Sequence, residues 1–199
     1  MKLIFLLIFI LISKIGFNQK TNDEILIHRK NHLNKLKDIN SGILTAEEIE
    51  KFRGLDYYDF DSKFQIKAVF KKQKGPKFEM ATSTERKPIY RKYGIITFNL
   101  DGKKLTLEVY QNIKLIKSKE YKNYLFVPFR DKTSGNESYG GGRYLDLKKQ
   151  KGNMWLIDFN LSYNPYCAYS YRYSCPIPPK ANTLDVSIKA GEKIPLNYK

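Results

Sequence analysis

From Asp61 onward apolar and polar residues alternate, with Phe64, Ile66, Ala68 and Phe70 on one side of the chain and Lys63, Gln65, Lys67 and Val69 on the other. Successive side chains of an extended segment point to opposite faces, so this period of two predicts a half-buried strand. Gly75-Pro76 turns the chain into a second strand through Phe78 and Met80, and Lys87-Pro88 breaks it. The clearest hairpin is Ile95–Leu100, Asp101-Gly102, Lys103–Tyr110, because Asp-Gly tolerates the positive φ angles of a two-residue turn. Further strands are predicted at Tyr124–Phe129, Arg143–Lys148, Met154–Asn160 and Leu184–Ile188.

Upstream the period is helical. Residues 22–54 predict two short helices, the first capped by Asn22, with Asp23 and Glu24 in its first turn and a stripe of Ile25, the Arg29 stem, Leu33 and Leu36. The second, Ala46 to Arg53, has Thr45 and Glu48 as a capping box, Leu44 and Ile49 as a hydrophobic staple, and Gly54 as its stop. Two helices followed by evenly spaced short strands predict an α+β domain over residues 20–199. Its sheet is expected to be mainly antiparallel and curved into a sandwich or partial barrel.

The first nineteen residues have another character. Lys2 precedes an unbroken apolar run from Leu3 to Ile12, Lys14 ends it, and Gly16 to Gln19 resemble a cleavage region, the pattern of a secretory signal peptide. A spanning helix needs about 20 apolar residues, so the run predicts export to the periplasm or beyond, with no membrane attachment after cleavage. The formal charge of +16 is strongly basic. Yet only seven of the 36 basic residues are arginines and the lysines are dispersed, which argues against specific nucleic-acid recognition.

Candidate chemistry concentrates in two segments, PFRDKTSGNESYGGGRYLD at 128–146 and DFNLSYNPYCAYSYRYSCP at 158–176. With Met80-x-Thr82-Ser83 and Tyr93-Gly94 upstream and Ala190-Gly191-Glu192 downstream, the ordered words PFRD, YGGGRYLD, DFN, YNP-x-CAY and CP resemble the bacterial and archaeal family called domain of unknown function 1684. The resemblance spans nearly all of the chain after the leader. It implies boundaries and the place of a site, and brings no activity, substrate or catalytic residue with it.

The glycine run Gly140-Gly141-Gly142 precedes a strand, so it is no phosphate-binding helix start. Two readings remain for it: an amide nest where Arg143 and Arg130 grip an anion, or a tight turn with Arg143 paired to Asp131 or Asp146. The leading expectation is a pocket for a small polar or anionic ligand. Arg130 and Arg143 hold the anionic group beside Gly141 and Gly142, Tyr139, Tyr163, Asn160 and Asn164 orient the rest, and Asp131 and Asp158 fix the arginines. A hydrolase of glycans or esters using two of Asp131, Asp146 and Asp158 is the alternative, and a structural envelope protein without a pocket is the third.

His28 and His32 both lie in the leading helix without an HExxH pattern, so no metal or cofactor is expected, and histidine-based nucleophilic mechanisms lack their usual base near the dense segments. Cys167 and Cys175 are too far apart for a CxxC element, and in an exported chain a disulfide between them is the default, with two buried thiols the alternative.

Overall fold

The computed structural model describes residues 19–196, so the expected leader lies, but for Gln19, outside the described residues. Helix α1 (Asn22–Lys37) is capped by Thr21, one residue before the expected Asn22: Thr21 Oγ1 accepts from the Glu24 amide and the Glu24 carboxylate accepts from the Thr21 amide at 2.8 Å. Helix α2 (Ala46–Lys51) is capped by Thr45 and Glu48 as expected, with Leu44 buried and Ile49 packed beside it. It ends two residues early, at Lys51.

Among the described residues seven strands follow: β1 (Gln65–Lys72), β2 (Lys77–Glu79), β3 (Ile89–Leu100), β4 (Lys103–Asn112), β5 (Tyr124–Phe129), β6 (Arg143–Lys148) and β7 (Met154–Asp158). Every strand pair is antiparallel, in the order β6-β5-β4-β3-β1-β7, with β2 beside β3. The β3–β4 hairpin turns at Asp101 and Gly102, both at positive φ, with Leu100 opposite Lys103 as the pattern predicted. In β3 the register shifts at Tyr93, and Gly94 follows because a side chain there would strike the Phe70 ring. Phe70 itself lies flat on Trp155, ring centroids 3.8 Å apart.

The sheet curls around one apolar interior. Phe159, just past β7, touches Phe98 of β3 and Phe129 of β5, and Ile96, Leu107, Val127, Leu145 and Ile157 fill the remaining space. The two edges are then joined: Tyr144 of β6 exchanges both backbone hydrogen bonds with Tyr163, at 2.8 and 3.0 Å, so the chain after β7 returns to the far edge of the sheet. A mainly antiparallel, curled half-barrel with two helices results.

β3 also begins six residues before the expected Ile95, and two further expectations change. β7 stops at Asp158 because its carboxylate accepts from the Asn160 amide and caps a 3-10 turn. Leu184, Val186 and Ile188 are buried alternately, as a strand would be, but 184–188 forms no ladder and meets the end of β5 only through isolated bonds such as Lys132 N to Val186 O. Alternation reports which residues face the core, not whether a neighbouring strand is present. Among the described residues, no helix is long and apolar enough to cross a membrane.

Candidate functional site

Arg143 opens β6 on its inward face and is completely buried. Its Nη1 donates to the carbonyls of Ala190 and Glu192, and its Nη2 to the carbonyl of Ile188 and to Asp131 Oδ1 at 3.3 Å. Asp131 also accepts from the Ile188 amide and the Thr133 hydroxyl. Burial pulls the guanidinium pKa down and Asp131 opposes it. This is a correction to the expected anion grip: Arg143 and Asp131 clamp the 188–192 segment to the barrel and face no solvent. The glycines agree with it, since Gly142 has φ of 89° and its missing side chain leaves room for the Phe129 carbonyl and Pro178. The run is a tight turn.

The other expected residues are dispersed in the same way. Arg130 Nε rests on the Gly140 carbonyl, and Tyr139 stands against Gly141 with its hydroxyl 3.9 Å from Cys167 Sγ. Asp158 fixes no arginine; it accepts from Gln65 and from Asn160, whose side chain also pairs with the Asp61 backbone. Asn164 bonds Tyr169 and the Lys193 carbonyl. Of the ten residues expected to bind ligand, the cleft described next contains Tyr163.

That cleft lies on the outer face of β5 and β6, roofed by α1, and encloses about 490 Å3. Asp146 sits at its base, because the alternation that turns Arg143, Leu145 and Leu147 inward turns Tyr144 and Asp146 outward. Asp146 Oδ1 accepts from the hydroxyls of Tyr124 at 2.7 Å and Tyr163 at 2.9 Å, while Oδ2 takes no donor among the described residues. Rings form the walls, with Phe126 edge-on to Tyr144 and Tyr144 edge-on to Tyr163. Asp146 is exposed in the cleft, and desolvation by the neighbouring rings raises its pKa although both tyrosine hydroxyls pull it down. Burial and the Asp146 charge push both phenols far up, so they remain donors.

His28, Asn31, His32 and Lys35 line the roof from a single face of α1. The i, i+4 spacing of the histidines was the available signal; what sequence reasoning missed was their approach to residues more than a hundred positions away. Burial, with His32 next, lowers the pKa of His28. Among the described residues, no group of three or more His, Cys, Asp or Glu is arranged to hold a metal ion.

Cys167 and Cys175 are free thiols side by side, the Cys167 amide lying 3.3 Å from Cys175 Sγ. The hydrogen bond from Cys175 lowers the pKa of Cys167 to about 7, and the same bond raises that of Cys175. Ser83 exchanges two bonds with Cys175, through Ser83 N to Cys175 O and Cys175 N to Ser83 Oγ, and Thr82 pairs with Pro176. The distant words Met80-x-Thr82-Ser83 and CP are therefore two sides of one contact.

The profile of a family described as protein of unknown function (DUF1684) matches residues 50–193. A solution NMR structure of an uncharacterized protein from gene locus rrnAC0354 of Haloarcula marismortui is similar over 88% of this chain and 95% of that one, at 32% identity and a TM-score of 0.67. Comparison with proteins of curated function gives no match.

Proposed function

The chain belongs to the DUF1684 family of proteins of unknown function, and from that premise we propose that it is an exported protein that binds a small, hydroxyl-rich polar ring in the cleft beneath α1. The observation that carries this reading is Asp146: one oxygen anchored by two tyrosines, the other open toward a ring-walled space. Such an oxygen accepts hydrogen bonds from ligand hydroxyls, and aromatic faces pack against the carbon faces of a sugar or cyclic polyol. An anionic ligand fits less well, since the carboxylate repels it and Arg143 is enclosed elsewhere. A two-carboxylate hydrolase has the same difficulty: of Asp131, Asp146 and Asp158, the cleft contains Asp146 alone.

Isothermal titration with a panel of neutral monosaccharides, cyclic polyols, sugar phosphates and simple amines tests the reading. Neutral rings should bind, and Asp146→Asn should weaken them by about 10- to 100-fold, the range for losing a hydrogen bond to a charged group. Binding confined to phosphates, no binding at all, or equal affinity in Asp146→Asn defeats it.

Export rests on the leader-like residues 1–19, and in an oxidising compartment the neighbouring thiols of Cys167 and Cys175 are expected to join. Closing that short loop would stabilise the fold by roughly 2–3 kcal/mol. Intact-mass measurement on protein recovered from the exporting cell checks both expectations, through an N-terminus within a few residues of Gln19 and the loss of two thiol hydrogens. A chain retaining Met1, or one that takes up two alkyl groups without reduction, contradicts the corresponding half.

A further inference from the structure

Glu192 is completely buried in the segment clamped by Arg143. Its Oε1 lies 3.0 Å from His32 Nδ1, and its remaining capacity is taken by the Tyr57 hydroxyl, the Tyr169 hydroxyl and the Asn164 amide. His32 therefore stands between a buried carboxylate and the cleft. Its side chain is 14% exposed, its ring is edge-on to Tyr163 with centroids 5.9 Å apart, and no protein group takes Nε2 among the described residues. Nδ1–H donating to a carboxylate fixes the tautomer in which Nε2 carries a lone pair, which presents a base to the cleft. The titratable groups facing this ring are Glu192 and Tyr57 behind it, Tyr163 and Asp146 across the cleft, and His28 and Lys35 along α1.

We propose that the cleft hydrolyses acyl esters of hydroxyl-rich rings, with His32 as general base and Glu192 as its positioning residue. The inference rests on the binding reading above for its substrate class, Asp146 orienting the ring's hydroxyls. A water oxygen bonds to the acyl carbon as one water proton moves to His32 Nε2. The carbon–alkoxy bond then breaks, its electron pair leaves on the alkoxide oxygen, and His32 returns the proton to that oxygen. Ester and water become acid and alcohol, and the imidazole ends as it began.

The test uses the mature protein with two probes, p-nitrophenyl acetate and a peracetylated methyl glucoside, followed by nitrophenolate and acetate release. Wild type should exceed 4-methylimidazole at equal concentration on both, and His32→Gln should lose about a hundredfold, the usual worth of a general base. Imidazole 15N shifts on the wild type should show Nδ1 protonated and Nε2 bare at pH 8, and Glu192→Gln should mix the tautomers while lowering kcat more than it raises KM. The ring spectrum and the wild-type rates need no variant, so a misfolded substitution cannot decide the matter. A wild type no faster than 4-methylimidazole, full activity in folded His32→Gln, or a ring protonated on Nε2 each overturns the proposal. If neutral rings bind by titration while neither ester is cleaved, the binding reading stands and the hydrolytic one falls; if esters are cleaved without ring binding, the assigned substrate class falls.

Discussion

Arg143→Ala should lower stability by about 3–5 kcal/mol, because removing one partner of a buried ion pair leaves the other charge uncompensated. Here the loss is compounded. Asp131 keeps its bonds from Thr133 and the Ile188 amide but loses its counter-charge, and the carbonyls of Ile188, Ala190 and Glu192 lose a buried donor together. For a chain of this size each kcal/mol moves the melting temperature by about 2–4 °C, so a fall of roughly 10 °C is expected without any ligand present. Arg143→Lys should fall less but clearly, since an ammonium cannot reproduce the planar fork that reaches carbonyls and carboxylate at once. Asp131→Asn in the Arg143→Ala background should recover part of the loss by removing the stranded charge. Thermal and urea denaturation measure all three. A melting temperature for Arg143→Ala within about 2 °C of wild type would show that the clamp contributes little and would reopen the anion-binding reading of this arginine.

The second large effect concerns the backbone that the clamp holds. Gly191 has φ of 75°, and a methyl group there would overlap the Ser162 hydroxyl and the carbonyls of Ser162 and Phe159. Left-handed backbone costs a residue with a side chain about 1–2 kcal/mol, and overpacking a filled interior about 1–3 more. Gly191→Ala should therefore be destabilised by roughly 3–4 kcal/mol in urea denaturation. Gly135 supplies the comparison, with a similar φ of 92° but open space around it, so Gly135→Ala should show the conformational part alone, about 1 kcal/mol. Equal losses for the two alanines would mean that 190–192 yields easily. The contrast also bears on function, since Gly191 is the residue before Glu192, and Glu192 fixes the orientation of His32 at the cleft.

Much of the fold was legible along the chain. The Thr45–Glu48 capping box, the Asp101-Gly102 turn, and the strands Tyr124–Phe129 and Arg143–Lys148 follow from signals contained within a few residues. Family membership was legible too, because ordered words such as YGGGRYLD and YNP-x-CAY are carried by the sequence itself. Element ends shifted by a residue or two, where Thr21 capped α1 and Asp158 ended β7 by capturing amides that propensity alone assigns to no one.

The site was less legible, for a different reason. The residues richest in apparent chemistry, Arg143, Asp131, Asp158 and Asn164, are buried polar groups, and burial obliged them to bond the chain's own groups. Their charges signalled function in the sequence and serve structure in the fold. Asp146 and Tyr163 were in view, but nothing local indicated that Tyr124 would share the carboxylate or that its other oxygen would stay open. The histidines were discounted because they lie far away along the chain.

What the sequence by itself determined, then, is the alternation that selects strands, the caps and turns that bound them, and the order of words that marks the family; each depends on neighbours a few bonds apart. Only the tertiary structure decided that one face of α1 borders the same cleft as β5 and β6, that Glu192 reaches His32 from 160 positions later in the chain, and which polar groups face inward. Those outcomes depend on how a curled sheet brings its edges together, and closing the sheet through Tyr144 and Tyr163 is a long-range event that no local pattern encodes.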